Sequence, residues 1–355
     1  MKKTIAIVLC AVLFAMSLAG CGSSASGGAP AASSASGSAA SPANDKKPGY
    51  TLRFGHTLTE NDTFHKAMVA WSEAVFEHTD GDVKIEIYPN AELGSEEDVL
   101  EQMRQGANIG WQTDFARAGS YVNELSVMNA PYFIENIEEV KALQKSANLN
   151  GWLEQLSGEF GLQALSFEWV QGNRVVYSNK KALNPSEMSA MSIRAANAPI
   201  WQQSVNALGC TAVALAYSEI YSSIQTKVID GCELPYNAAL NLKINEVCKN
   251  IIETNHIYQM NLMLVSDSWW NTLPDEYKTI LVEDCNAAGL TASQELADTA
   301  AQSKQTLMDA GMTLIPYEEL DVNAFKAASQ RAYDALDLAD ARAAVYGDIG
   351  KTVVS

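Results

Sequence analysis

The chain has 355 residues, a length typical of about two domains. It contains 24 lysines and arginines and 42 aspartates and glutamates, which gives a formal net charge of −18. Nucleic acid and anionic lipid bind basic surfaces, so this charge argues against both as main partners. A hydrophobic content of 47% is enough for a sizeable core, whereas four histidines and six scattered cysteines suit neither a multi-metal protein nor a disulfide framework. We expect an acidic globular protein without a metal or cofactor.

Residues 1–21 have the pattern of a lipoprotein export signal. Lys2 and Lys3 precede an apolar run, Ile5 to Leu18, that is too short for a comfortable membrane span. Small residues then lead to Cys21, as in the bacterial lipobox. This pattern predicts cleavage before Cys21, a lipid on its thiol and attachment to the outer side of the cell membrane; an ordinary cleaved signal is the alternative.

Residues 22–49 are rich in Gly, Ser, Ala and Pro and predict a flexible tether. The folded part therefore begins near Tyr50. Its cysteines form no CxxC pair, and the sequence leaves open whether they form disulfides or stay as free thiols: Cys210, Cys232, Cys248 and Cys285.

Strand and helix patterns alternate over the first part of the folded chain. Tyr50–Gly55 and Val83–Ile87 alternate apolar and polar residues and predict strands. Between them, apolar residues recur at helical spacing: Phe64, Met68, Trp71 and Val75. Ser95 is expected to cap a second helix that ends at Gly106. This alternation predicts an α/β fold with a largely parallel sheet.

The second part of the chain continues the alternation. Met191–Arg194 and Val228–Gly231 predict strands, and Pro199 suits the first turn of a helix that reaches Gly209. A long helix is expected from Pro274 to about Ala310, with a soft break at Gly289. A helix of that length is long enough to lie across two domains.

Catalytic signatures are scarce, since the sequence has no nucleophile elbow, HExxH motif, P-loop or GxGxxG motif. His56 follows a strand end, where ligands gather in α/β sheets, although a turn histidine is the commoner case. Arg194 ends an apolar strand and could donate two parallel hydrogen bonds to a carboxylate. From spacing alone, a buried ion pair is the more frequent role of such an arginine, and Arg174 has the same ambiguity.

Several segments in chain order resemble the signature of the solute-binding proteins of TRAP transporters (tripartite ATP-independent periplasmic transporters), the DctP-like family. The segments are Tyr88–Gly106, Ala130–Phe133, Gln171–Arg174, Ser192–Arg194, Ser218–Thr226 and Val228–Gly231. Each is weak alone, but their order is specific, and the likeness runs from about residue 51 to beyond residue 280.

The resemblance implies a periplasmic-binding-protein-like fold. It consists of two α/β domains with a central ligand cleft, hinge strands and a long helix spanning both domains. Domain I is expected to comprise residues 50–172 and about 260–299, and domain II residues 173–259 and about 300–355. Such proteins are not enzymes; they capture a small organic acid and deliver it to the small and large membrane subunits of the transporter.

The family pattern also implies roles for single residues. Arg194 would grip the ligand carboxylate and Arg174 would assist it. Thr57 and Asp114 would face the cleft, and Tyr217 would line it. Asp114 suits a ligand hydroxyl or amine, with a helix N-cap as the alternative reading.

Two further positions bear on the ligand. Trp169 could stack on it or pack in the core. Where the family usually has Gln-Glu-Asn-Pro, this chain has Cys232–Pro235, so Leu234 replaces an asparagine that hydrogen-bonds the ligand, beside Glu233. We therefore expect a ligand other than a standard C4-dicarboxylate, with an aromatic or branched monocarboxylate as a hypothesis. Two alternatives to a TRAP binding protein remain. One is a binding protein that serves a sensor kinase or an ATP-driven permease, and the other is an exported lipoprotein enzyme.

Overall fold

The computed structural model describes residues 47–352, so the predicted signal, Cys21 and nearly all of the tether lie outside the described residues. The helices are α1 Thr63–His78, α2 Glu96–Arg104, α3 Phe115–Ala118, α4 Ile137–Leu143, α5 Ala147–Phe160, α6 Pro185–Met188, α7 Pro199–Ala207, α8 Ile220–Gln225, α9 Tyr236–Asn241, α10 Asp267–Trp270, α11 Asp275–Asp309, α12 Val322–Ala335 and α13 Ala339–Ile349. The strands are β1 Tyr50–Gly55, β2 Val83–Tyr88, β3 Ile109–Asp114, β4 Leu162–Ser178, β5 Ser192–Ala195, β6 Thr211–Ala214, β7 Gly231–Leu234, β8 Asn250–Ser266 and β9 Thr313–Ile315.

These strands form one mixed sheet in the order β2-β1-β3-β8-β4-β7-β5-β6, with β9 beside β8. The outer strands β2-β1-β3 are parallel, and so are β7-β5-β6. The two central strands, β4 and β8, are each 17 residues long and run antiparallel to each other. The predicted α/β class is confirmed.

Strands β4 and β8 connect two halves of the sheet. β3 pairs with the last part of β8, over residues 261–265, whereas β7 pairs with the last part of β4, over residues 175–178. The register of the β4–β8 pair shifts four times between Ala164 and Val176, so the ladder is irregular where the halves meet. This is the place that the resemblance assigns to hinge strands, while the domain boundaries given above stay a prediction.

Helix α11 packs on β4 and contacts both α1 and α9, which flank different halves of the sheet. The long helix is confirmed, but the expected break at Gly289 is wrong. The helix is continuous there, and a Cβ at Gly289 would lie 2.6 Å from the indole nitrogen of Trp169. The lack of a side chain at Gly289 therefore allows α11 to pack closely against the sheet.

The strand expected over Val228–Gly231 is also wrong for its first three residues. Lys227 has a φ of 61°, and the amide of Val228 donates to the carbonyl of Ser223, which closes the end of α8. The chain is therefore still turning, with Val228 exposed, and β7 begins only at Gly231.

The four cysteines of the folded part are buried free thiols: Cys210, Cys232, Cys248 and Cys285. Within residues 47–352, no helix is both long and apolar enough to cross a bilayer. The same residues contain no group of His, Cys, Asp or Glu side chains suited to a metal ion.

Candidate ligand-binding cleft

A cavity of about 70 Å³ lies between the two halves of the sheet, where strands of both halves end. Ligands of open α/β sheets gather at such carboxyl ends. Six residues singled out from the sequence line the cavity: Thr57, Asp114, Arg174, Arg194, Tyr217 and Leu234. The sheet thus brings together residues that are far apart in the sequence, with 177 positions between Thr57 and Leu234.

Arg194 is a buried cation that has no carboxylate partner among the described residues. Its Nε donates a hydrogen bond to the carbonyl of Leu215 at 2.9 Å, and it is only 3% exposed. Among residues 47–352, its two terminal nitrogens have no hydrogen-bond partner and no carboxylate lies within 4.0 Å of them. Burial, opposed by Glu233 but reinforced by Arg174 and Arg117, lowers the pKa of Arg194 to about 10. Two nitrogens of the Arg194 guanidinium are therefore available to bind a carboxylate.

Arg174, by contrast, is already neutralised. Its Nε and Nη2 donate to the two carboxylate oxygens of Glu233, and Nη2 also donates to the Glu233 carbonyl at 2.6 Å. Nη1 donates to Gln259 at 2.5 Å, and the guanidinium lies 4.6 Å from the ring centre of Trp201. This fixed geometry makes Arg174 a rigid wall of the cavity.

Glu233 is fully buried and does not line the cavity. Burial opposes its ionisation, but Arg174 and His256 outweigh burial and lower the pKa of Glu233 to about 2. His256 Nε2 lies 3.6 Å from the carboxylate. Glu233 therefore does not line the cavity itself; it holds the guanidinium of Arg174, which does.

The structure places Trp169 away from the cavity. The indole is fully buried in the core beneath α11, with its ring 5.2 Å from Phe64 in an edge-to-face contact. Gly289 of α11 lies directly against it. Of the two readings given above, core packing is the one that this position fits.

His56 is also absent from the cavity lining. Its Nδ1 accepts a hydrogen bond from the amide of Leu58 at 3.1 Å, and its Nε2 lies 3.0 Å from Nδ1 of His65. Burial and His65 lower the pKa of His56 to about 3, so the ring is neutral at ordinary pH. His56 holds the loop that carries Thr57 and Leu58 into the cavity.

Asp114 both lines the cavity and caps a helix. Its Oδ1 accepts from the amide of Arg117 at 2.8 Å and so caps α3. Its Oδ2 accepts from Nη1 of Arg117 at 2.8 Å and from Nε1 of Trp201 at 3.1 Å. Since Asp114 ends β3 and Trp201 lies on α7, the indole bond joins the two halves of the sheet.

Sequence reasoning missed Glu96 and Arg117, which also line the cavity. Glu96 Oε2 lies 3.1 Å from Nε of Arg117, and Oε1 accepts from the hydroxyl of Thr113 at 2.5 Å. Burial raises the pKa of Glu96 to about 7, against the opposing effect of Arg117. Glu96 lies in the first turn of α2, where an acidic residue is ordinarily exposed, so the sequence gives no sign of its burial.

Three buried amides, also missed, form the floor of the cavity. Gln112 Nε2 donates to Asn261 Oδ1 at 2.9 Å, and Gln259 Nε2 donates to the same oxygen at 3.3 Å. Asn261 in turn donates to the carbonyl of Trp169. A polar residue inside an otherwise apolar central strand is the signal that could have found them.

A second, wider cavity of about 750 Å³ adjoins the first, and we call the smaller one the inner cavity and the wider one the outer cavity. Four residues line both cavities: Thr57, Glu96, Arg117 and Tyr217. We call these four residues the neck. Arg194 lines only the inner cavity, but Leu215, whose carbonyl accepts its hydrogen bond, lines the outer one.

Comparison with known proteins identifies this architecture. Residues 54–338 match the model of the family described as bacterial extracellular solute-binding protein, family 7 (DctP). The C4-dicarboxylate-binding periplasmic protein DctP of Rhodobacter capsulatus is 26% identical over 74% of this chain and 78% of that protein.

Solved structures agree. A TRAP periplasmic solute-binding protein of Escherichia fergusonii, in an open form without ligand, is 30% identical with a TM-score of 0.74 over 84% of this chain and 99% of that one. One of Roseobacter denitrificans, with bound L-galactonate, is 24% identical with a TM-score of 0.79 over 85% of this chain and 99% of that one. The protein therefore belongs to family 7 of the bacterial extracellular solute-binding proteins, the DctP family of TRAP binding proteins.

Proposed function

We propose that this protein captures a small organic acid in the inner cavity, with Arg194 as the anchor of the carboxylate, and delivers it to the membrane subunits of a TRAP transporter. The observation that carries the proposal is the buried guanidinium of Arg194, for which residues 47–352 supply no carboxylate. Leaving a cation without a partner in a buried place is costly, and a ligand carboxylate removes that cost by two parallel hydrogen bonds.

The ligands of relatives support an acid. The Rhodobacter protein is described as C4-dicarboxylate-binding, and the Roseobacter structure holds L-galactonate. In the present chain, Leu234 lines the cavity where the family pattern has an asparagine, so part of the wall is apolar. We infer a monocarboxylate in place of a C4-dicarboxylate.

Binding closes the cleft in this proposal. The domains of residues 50–172 with 260–299 and 173–259 with 300–355 approach each other by bending of β4 and β8, and the bound carboxylate stabilises the closed form. The bond between Asp114 and Trp201 is one contact that forms across the cleft. The protein holds the acid without converting it, so an acid released by denaturation should have the mass of the acid supplied.

The test is the substitution of Arg194 by methionine. We expect the affinity for the bound acid to fall at least 100-fold, about 3 kcal/mol, in calorimetry with an acid identified by native mass spectrometry of the purified protein. We expect the ligand-free protein to lose less than about 1 kcal/mol of stability, because the removed charge has no partner. A purely structural arginine would give the opposite pattern.

Arg331→Met is the matched control. Arg331 also donates to a backbone carbonyl, that of Ala207 at 2.9 Å, but lines neither the inner nor the outer cavity. Its affinity for the acid should match that of the wild type. A loss of less than threefold for Arg194→Met would refute the assignment.

We also propose that the protein is held on the outer side of the membrane by a lipid on Cys21, with residues 22–49 as a tether. Cys21→Ser should move the protein from the membrane fraction to the soluble fraction of fractionated cells. Mass spectrometry of the wild type should show a lipid on an N-terminal cysteine. An unmodified chain cleaved at another position would contradict the anchor.

A further inference from the structure

Asp62 is a buried carboxylate at the start of α1, and the residue is only 1% exposed. Its Oδ1 accepts a hydrogen bond from the amide of Phe64 at 2.9 Å and so caps α1. Its Oδ2 accepts a hydrogen bond from Nδ2 of Asn241 at 2.8 Å. A helix cap requires a single acceptor oxygen, so the bond to Asn241 is additional to the role of Asp62 in its own helix.

Asn241 belongs to the other half of the sheet. It is the last residue of α9, the helix that follows β7, and Ala238 and Ala239 of this helix pack in the same core as Cys232 of β7. Asp62, by contrast, precedes α1, which packs on β2. The bond therefore joins the half that contains β2-β1-β3 to the half that contains β7-β5-β6.

The bond lies beside the inner cavity without being part of its wall. Leu58, four residues before Asp62, and Ala238, three residues before Asn241, both line the inner cavity. Neither Asp62 nor Asn241 is among the residues that line the inner or the outer cavity. An acid in the inner cavity therefore meets neither side chain, and the pair acts on the acid only through the approach of the two halves.

The bond between Asp114 and Trp201 also crosses between the halves, but both of these residues line the inner cavity. A substitution there changes the surface that the acid meets as well as the closing of the cleft. The bond between Asp62 and Asn241 allows closure to be altered while the wall of the cavity stays the same.

A hydrogen bond to a carboxylate is stronger than one between neutral groups, and partial burial shields this one from water. Because donor and acceptor stand on different halves, the bond exists only while the halves are together. It stabilises the closed form and not the open form, so it shifts the equilibrium between them toward closure. Since the acid leaves through the open form, such a contact slows its release.

We propose that the bond from Asn241 to Asp62 is a latch that holds the cleft closed around the bound acid. Asn241 and Asp62 are positioning residues, which slow the release of the acid without binding it. The inference rests on the proposed function, since it takes closure of the two halves around the acid as given.

Asn241→Asp tests the latch, because it replaces the donor by a second carboxylate that faces Asp62. The probe is the acid that native mass spectrometry identifies in the purified protein or, where none co-purifies, the tightest binder among lactate, succinate, phenylacetate and L-galactonate in calorimetry. Stopped-flow tryptophan fluorescence at pH 8 then gives the two rates. We expect dissociation to become about tenfold faster or more, because the closed form now opposes two like charges. Association should change less than about threefold, because the acid enters the open form. An unchanged dissociation rate would refute the latch.

Asp62→Asn combined with Asn241→Asp reverses the pair. The amide at position 62 keeps an oxygen that can cap α1, and its nitrogen can donate to the carboxylate at position 241. We expect the dissociation rate of this double variant to return to within about threefold of the wild type. If each residue served only its own helix, the two losses would add, so a double variant that releases the acid as fast as Asn241→Asp would overturn the inference.

Asn271→Asp is the matched control. Nδ2 of Asn271 donates to Oδ2 of Asp267 at 2.7 Å, so the same substitution again opposes two carboxylates. Both residues belong to the short segment around α10, and neither lines the inner or the outer cavity. Both rates should equal those of the wild type. A release as fast as that of Asn241→Asp would show that added negative charge, and not the loss of a latch, frees the acid.

Arg194→Met separates the latch from the carboxylate anchor. If Arg194→Met weakens binding while Asn241→Asp leaves the dissociation rate unchanged, the proposed function stands and only the latch fails. If Asn241→Asp speeds release and the reversed pair restores it, while Arg194→Met binds the acid as tightly as the wild type, the latch stands and the anchor is wrong.

Discussion

The ion pair between Arg174 and Glu233 offers a sharp test of how the cleft wall is stabilised. Glu233→Gln keeps the shape of the side chain but removes the charge, and so leaves the buried guanidinium of Arg174 without its counter-ion. Breaking a buried pair in this way costs about 3–5 kcal/mol. The difference between a pKa of 4.5 and about 2 for Glu233 independently corresponds to about 3 kcal/mol.

The pH dependence has a definite sign. The pKa of Glu233 is lower in the folded state, so its stabilisation is complete above pH 4.5 and is lost as the pH falls from 4.5 through about 2. Urea unfolding followed by circular dichroism should therefore give a difference of about 3 kcal/mol between wild type and Glu233→Gln at pH 7. The difference should shrink steadily below pH 4.5.

Two controls accompany this measurement. Adding Arg174→Met to Glu233→Gln removes the orphaned charge and should restore at least half of the lost stability. Glu101→Gln, which breaks the exposed pair with Arg104, should cost no more than about 1 kcal/mol. A loss below 1 kcal/mol for Glu233→Gln, or a loss independent of pH between 7 and 3, would show that the pair does not stabilise the wall as argued.

Three further predictions follow from the contacts. Gly289→Ala should lower the free energy of unfolding, measured by urea titration, by about 1–3 kcal/mol, because the new Cβ would lie 2.6 Å from a buried indole nitrogen. Gly347→Ala in α13 is the control. The space around its Cβ is open, so this substitution should be neutral or stabilising in the same titration. Trp201→Phe should abolish most of the ligand-dependent change in tryptophan fluorescence, because this indole lines the cavity; an unchanged signal would place the reporter elsewhere. The affinity for the bound acid should rise in calorimetry as the pH falls from 8 to 6, since Glu96, which lines the cavity and has a pKa of about 7, loses its charge over this range, and a flat profile would contradict that.

Local patterns in the sequence predicted most of the elements. The apolar spacing of Phe64, Met68, Trp71 and Val75 placed α1, and all four side chains are buried on one face of that helix. Ser95 caps α2 through its hydroxyl, as expected from the residue type alone. Such features depend on neighbours within a few positions, so the sequence reports them directly.

Features that depend on distant neighbours were missed or misread. Gly289 suggests a helix break until the Trp169 indole is seen against it. Val228 and Ile229 are strand-forming residue types, yet the turn that ends α8 keeps them out of the sheet. Arg174 could not be told from Arg194 by its surroundings in the chain, since each lies at one end of an apolar segment.

The sequence by itself determined the fold class, the order of most elements and the family resemblance, because these follow from short-range periodicity and from motifs in a fixed order. Only the tertiary structure decided the charge balance of the cleft. Glu233 lies 59 positions from Arg174 and neutralises it, while Arg194 receives no carboxylate from the described chain. The pairing of buried charges is a property of the packed interior, where desolvation makes each uncompensated charge costly and therefore informative.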